Sequence, residues 1–161
     1  MSRCLVTGHK GYIGSKLFKA LQDAGHSVMG IDLEEDIQHD IITTLAEGSD
    51  GKFHPHWYNF QPEYVFHMAC WPRVGYSVEN PVETARNNIL AGTILLNFAR
   101  KVGSVKRVIY SSSSSVMGNG SGPESPYALQ KYTTEIETTL YSKLYGLDTV
   151  SLRYFNVYSH D

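Results

Sequence analysis

The chain has 161 residues, 42% of them hydrophobic and 19% charged, with a formal net charge of -2. That is enough apolar material for one globular domain with its own core, and the lack of a basic excess argues against nucleic acid as a partner. Two cysteines, Cys4 and Cys70, exclude a disulfide framework or a cysteine-rich zinc site and are expected to be buried thiols.

No apolar stretch reaches membrane-spanning length and no signal-type h-region is present, so a cytoplasmic protein with no membrane partner is expected. The first predicted element is a strand over Cys4-Leu5-Val6. It runs into Thr7-Gly8-His9-Lys10-Gly11-Tyr12-Ile13-Gly14, and the spacing of Ile13, Leu17, Phe18 and Leu21 predicts a helix next. Strand, glycine-rich turn and helix in this order suit a dinucleotide. Gly8 permits the tight turn, Gly11 lets the backbone approach a pyrophosphate, and Gly14 lets the helix lie close on the strand. Unpaired N–H groups at the helix start favour the anion. Gly25 ends this helix. A second strand, Ser27–Ile31, leads to Asp32, where an acid holds a ribose 2′-OH and repels a 2′-phosphate, so NAD is favoured over NADP. Lys10, which could reach a 2′-phosphate, is the opposing signal.

A short third strand is expected over 36–41, with Asp40 and Ile41 at its end, where the acid could contact the adenine amino group. A helix is expected to start within Thr43–Glu47. His54-Pro55-His56 is expected in a surface loop, without a third ligand nearby, so no metal is expected. Tyr64–Cys70 is a continuous apolar run, as in a parallel strand covered on both faces, and Trp71-Pro72-Arg73 breaks it. Pro81 opens a helix that stops at Gly103. Asn87 and Asn88 are poor helix formers in its middle, which points to a polar role facing the sheet edge. Val105–Tyr110 is the next strand and runs into Ser111-Ser112-Ser113-Ser114-Ser115. Ser125-Pro126 opens a helix reaching about Tyr145 and stopped by Gly146, and Asp148–Tyr154 is the last strand. The alternation predicts an α/β fold: a doubly wound parallel sheet of about six strands with helices on both faces.

Tyr127 and Lys131 are four apart on one helix and share a face. A phenol with a reference pKa of about 10 must drop by about 3 units, roughly 4 kcal/mol, to act as a base near neutrality. A neighbouring ammonium and a cationic nicotinamide ring both favour the phenolate, and a serine hydroxyl can hold the substrate oxygen. Such a set suits transfer of a hydride and a proton at a carbinol carbon.

Taken together, Thr7–Gly14, Asp32, Asp40-Ile41, His67-Met68-Ala69-Cys70, Asn87-Asn88 with Gly92-Thr93, Tyr110–Gly118, Tyr127 with Lys131, and Arg153-Tyr154-Phe155-Asn156 resemble the extended short-chain dehydrogenase/reductases. The likeness is to the nucleotide-sugar epimerase branch in particular (UDP-glucose 4-epimerase-like). The resemblance implies a Rossmann fold, with Tyr127 as catalytic base and Ser113 as catalytic serine. Lys131 would hold the nicotinamide ribose and lower the tyrosine pKa. NAD would lie along Gly8, His9, Lys10, Gly11, Tyr12, Ile13 and Gly14, then Asp32, Asp40 and Ile41, and then Met68, Ala69, Cys70, Asn87 and Tyr154. Arg73, Ser113 and Asn156 would face the nucleotide sugar. The dehydratase branch carries an Asp-Glu pair where this chain has Ser114-Ser115, which disfavours dehydration. His9-Lys10-Gly11 is also similar to the GDP-fucose synthase branch, which keeps an NAD(P)-dependent reductase or dehydrogenase of a smaller carbonyl as an alternative.

Family members usually run much longer and add a small substrate domain. The expectation is therefore a single NAD-binding domain over 1–161 without that domain, or a catalytically incomplete module that needs a partner. The resemblance also implies a homodimer through the helices that begin near Pro81 and Tyr127, with Ile89, Leu95, Ile136 and Leu140 as seam candidates.

Overall fold

The computed structural model describes residues 1–33 and 40–159. Five strands form one all-parallel sheet in the order β2-β1-β3-β4-β5: β1 (Arg3–Thr7), β2 (Ser27–Ile31), β3 (Tyr64–His67), β4 (Arg107–Ser113) and β5 (Thr149–Tyr154). The helices are α1 (Tyr12–Asp23), α2 (Ile41–Leu45), α3 (Pro55–Phe60), α4 (Val74–Glu79), α5 (Pro81–Ala85), α6 (Ala91–Val102) and α7 (Pro126–Tyr145). The architecture is the expected Rossmann type. The chain builds β2 on one side of β1 and then crosses to β3 on the other. At that reversal the carboxyl ends of β1 and β3 open a crevice.

The core lies on one face of the sheet. Leu5, Val65 and Val108 are register neighbours across β1, β3 and β4, and they pack with Leu95, Leu96, Phe98 and Val102 of α6 and with Ile41 and Leu45 of α2. Each such side chain contributes about 1.5–3 kcal/mol relative to exposure. Cys4 and Val6 alternate to the opposite face, where α1 packs on β1 and β2. On β5, Thr149, Ser151 and Arg153 bond to Thr138 and Glu135 of α7. Val150 and Leu152 alternate to the other side and remain exposed on this edge strand.

Several expectations change. The third strand falls partly outside the described residues. Its last positions, Asp40 and Ile41, instead start α2, because the Asp40 carboxylate accepts the Ile42 N–H at 3.1 Å and so caps a helix. The sheet therefore has five strands among the described residues. His54 and His56 are not in a loop: the His54 ring accepts the His56 N–H and Pro55 takes the first turn, which starts α3. The apolar run from Tyr64 leaves the sheet after His67, at the point where the chain crosses the crevice. The strand after Gly103 starts later and runs further, because β5 pairs with it as far as Ser113 opposite Tyr154.

The helix predicted from Pro81 to Gly103 is continuous, but its middle turn, Arg86–Leu90, is wound as a π-helix. Among the seam candidates, Leu95 belongs to the core, while Ile136 and Leu140 are exposed on α7. Among the described residues, no helix is long and apolar enough to cross a membrane, and no group of three His, Cys, Asp or Glu side chains could hold a metal ion.

Candidate active site

A cavity of about 750 Å³ opens over the carboxyl ends of the strands. The glycine turn forms one end. Gly8 has φ +72°, and a Cβ there would lie 2.7 Å from the Ala69 nitrogen, so the turn and the strand end after β3 touch at backbone level. A Cβ on Gly14 would run into the Gly8 carbonyl, so α1 packs on the turn itself and not only on the strand. Gly11 precedes α1 without a side-chain cap, which leaves the first helical amides open to an anion. Gly8, Gly11, Tyr12, Ile13 and Gly14 all line the cavity, with Asp32 and Ile41. The Asp32 carboxylate accepts the Lys10 backbone N–H at 2.8 Å, which ties the turn to the end of β2.

Four expected positions lie off this wall. The His9 ring is buried over Gly30, where any Cβ would overlap it, and meets Phe18 at 5.1 Å between centroids. Lys10 meets Asp32 through its backbone, and its residue does not line the cavity. Asp40 is buried, capping α2 and pairing with Arg86 at 3.0 Å, which directs its carboxylate into the structure. Asn156 also stands apart, whereas Phe155 and Val157 on either side of it line the cavity. Conversely, Cys70 is not a buried thiol. It is half-buried on the cavity wall, while Cys4 is buried, with its thiol pushed up by that burial.

The other end of the cavity carries Ser113, Tyr127, Lys131 and Tyr154, with Met68, Ala69, Asn87 and Arg73 between or beside them. The strand β4 delivers three serines with distinct partners. Ser111 donates to the His67 carbonyl at 2.9 Å, and Ser112 donates to Glu135 at 2.6 Å. Ser113 accepts from the backbone N–H and the hydroxyl of Ser115. Lys131 is buried, its ammonium donating to the Ser111 carbonyl at 2.6 Å and lying 5.0 Å from the Tyr110 ring centroid. Tyr127 sits in the first turn of α7, capped by Ser125, and its own N–H donates to the fully buried Ser77 hydroxyl at 3.0 Å. Burial pushes the Tyr127 phenol up, the Cys70 thiol adds to this, and the Ser113 hydroxyl pulls it down.

The supports behind this wall are polar and buried. His67 shares a 2.8 Å hydrogen bond with Thr7. Burial first, and the Lys131 ammonium second, lower its pKa to about 3. In the π turn, Asn87 faces the cavity and Asn88 points inward. The Asn88 carboxamide accepts from the Trp71 N–H at 2.7 Å and donates to the Trp71 carbonyl and to Gln130. Gln130 in turn donates to Thr84 at 3.0 Å. A paired asparagine in mid-helix was the sequence signal for this turn. Nothing local in the sequence marks Ser77, Gln130 or the tilted ring pair of Trp71 and Tyr76 at the cavity rim.

Residues 4–161 match the model of the NAD dependent epimerase/dehydratase family. The chain belongs to this family. A UDP-glucose 4-epimerase of Mycolicibacterium smegmatis is 34% identical, over 97% of this chain and 56% of its own length. The structure of a UDP-glucose 4-epimerase from Brucella ovis in complex with NAD superposes with a TM-score of 0.82 at 29% identity, covering 97% of this chain and 52% of that one. A UDP-N-acetylglucosamine 4-epimerase from Methanobrevibacter ruminantium, solved with UDP-N-acetylmuramic acid, gives 0.79 at 32% identity, covering 98% and 56%. This epimerase/dehydratase-family chain thus spans about half the length of the curated relatives it matches.

Proposed function

We propose that this chain acts, as one domain over 1–161, in an NAD-dependent nucleotide-sugar epimerase, binding the cofactor and moving the proton at a sugar carbinol. The observation that carries the reading is the convergence of Ser113, Tyr127 and Lys131 on the cavity that Gly8, Gly11 and Asp32 close at its far end. The residues fit NAD. A Cβ on Gly11 would meet only the Gly8 carbonyl at 3.3 Å, which leaves room for a pyrophosphate at backbone level, and Asp32 offers a carboxylate to a ribose diol. Bound NAD supplies the acceptor and then the donor of a hydride at the sugar carbon. Tyr127 takes the hydroxyl proton and returns it, Ser113 holds the sugar oxygen, and Lys131 places a positive charge beside the forming phenolate. Arg73 stands on the cavity wall as a cation for the anionic part of the nucleotide sugar. Asn156, next to the wall, completes the proposed substrate side.

The test is calorimetric titration with NAD and NADP, followed by turnover on UDP-, GDP- and dTDP-sugars. NAD binds in preference to NADP, Asp32→Ala relaxes that preference, and Tyr127→Phe abolishes turnover without loss of NAD. Net NADH consumption would instead assign a reductase, and NAD binding without turnover of any sugar would assign a binding module. We also propose a homodimer with a second copy through α5 and α7, where Leu129, Ile136, Leu140 and Leu144 on α7 and Val82 on α5 are exposed apolar residues.

A further inference from the structure

Ser113 has a second task. It is the N-cap of the 3₁₀ turn Ser114–Met117, and its Oγ accepts the Ser115 backbone N–H at 3.2 Å. The same oxygen accepts the Ser115 hydroxyl at 2.8 Å. A serine oxygen has two acceptor lone pairs and one proton. Both lone pairs are therefore occupied from behind, and the side chain is buried, so water does not compete for them. Ser113 lines the cavity and Ser115 does not. The turn that holds the pair is anchored by buried Val116 and closed by Gly118 at φ +51°.

We propose that Ser115 is a positioning residue: by filling the lone pairs of Ser113 with its own N–H and O–H, it leaves the Ser113 proton only one use, donation into the cavity, to the Tyr127 oxygen or to the sugar oxygen. This rests on the proposed function, which brings Ser113 and Tyr127 together on one cavity, and on the Ser113 hydroxyl acting on the Tyr127 phenol. The chemistry runs in one direction. A donor stabilises the tyrosine oxygen as phenolate. Without the Ser115 hydroxyl, Ser113 regains a lone pair, can accept the phenol proton, and stabilises the neutral form instead. Ser115 thereby fixes the polarity of the serine–tyrosine hydrogen bond without touching substrate.

The experiment needs neither turnover nor cofactor. A fluorinated tyrosine of lowered pKa is placed at position 127 of the full chain, and its ionisation is followed by ¹⁹F NMR against pH. Ser115→Ala raises the midpoint by about one unit, the tenfold shift expected when one hydrogen bond to the phenolate is lost. Ser115→Thr, which keeps the hydroxyl, leaves the midpoint unchanged. Ser113→Ala raises it as well, and adding Ser115→Ala to Ser113→Ala changes nothing further, because the effect travels through Ser113. The thermal midpoint of each variant controls for folding. The proposal is overturned if Ser113→Ala shifts the titration and Ser115→Ala does not, or if the two shifts add. If Ser113→Ala itself shifts nothing, the Ser113–Tyr127 pairing falls, and the proposed catalytic site falls with it.

Discussion

Asn88→Ala should destabilise the fold by breaking the buried amide network behind the cavity wall. Asn88 is 2% exposed, and its carboxamide makes three hydrogen bonds, to the N–H and carbonyl of Trp71 and to Gln130. Each bond is worth about 0.5–1.5 kcal/mol net, and a buried partner left unsatisfied costs about 1–3 kcal/mol. Trp71 is partly exposed and can turn to water, whereas Gln130 is 3% exposed and cannot. The sum is about 2–4 kcal/mol. For a chain of this size that lowers the thermal midpoint by roughly 5–15 °C. Circular dichroism melts and urea titrations measure it. A double-mutant cycle with Gln130→Leu sharpens the test. The stranded Gln130 oxygen disappears in the double variant, so the two losses should fall short of additivity by about 1 kcal/mol. A melting point for Asn88→Ala within about 2 °C of the parent, or strict additivity with Gln130→Leu, would refute the idea that this amide network holds the Trp71 loop to α7.

Stability should also fall in acid through His67. Its folded pKa of about 3 lies below the unfolded value, so between these limits the unfolded chain binds a proton that the folded chain does not. Stability is therefore full above about pH 6.5 and falls by about 1.4 kcal/mol per unit as the pH drops toward the folded pKa. Urea midpoints at a series of pH values measure the slope. His67→Gln should flatten it whatever its effect at neutrality, and an unchanged slope would mean that another group carries the acid response. The exposed apolar residues on α7 give a third test: Ile136→Glu with Leu140→Glu should convert a dimer into a folded monomer in sedimentation velocity, with NAD binding retained. An unaltered sedimentation coefficient would move the interface elsewhere.

How much was legible depends on how far each signal reaches along the chain. The glycine turn, the Pro81 and Ser125-Pro126 helix starts, and the Gly103 and Gly146 stops each act within a turn or two of backbone. They stand where the sequence predicts them. The same holds for the spacing that puts Tyr127 and Lys131 on one helix and for the alternation that dictates a parallel sheet. Tertiary structure decided the rest, through contacts between positions that share no periodicity. Asp40 reads as a strand-end acid until the α2 amides and Arg86 claim its carboxylate. His9 reads as part of a nucleotide loop until Gly30 opens a space for its ring. Five consecutive serines read as a polar strand end. Only the pairing of β5 with β4 makes three of them strand and lets the chain turn at Ser113, with Ser115 behind it. The Tyr127 amide is held by Ser77, fifty residues earlier in the chain. A hydrogen bond across that separation leaves no trace in local propensity, because its partners become neighbours only after the sheet and its helices have packed.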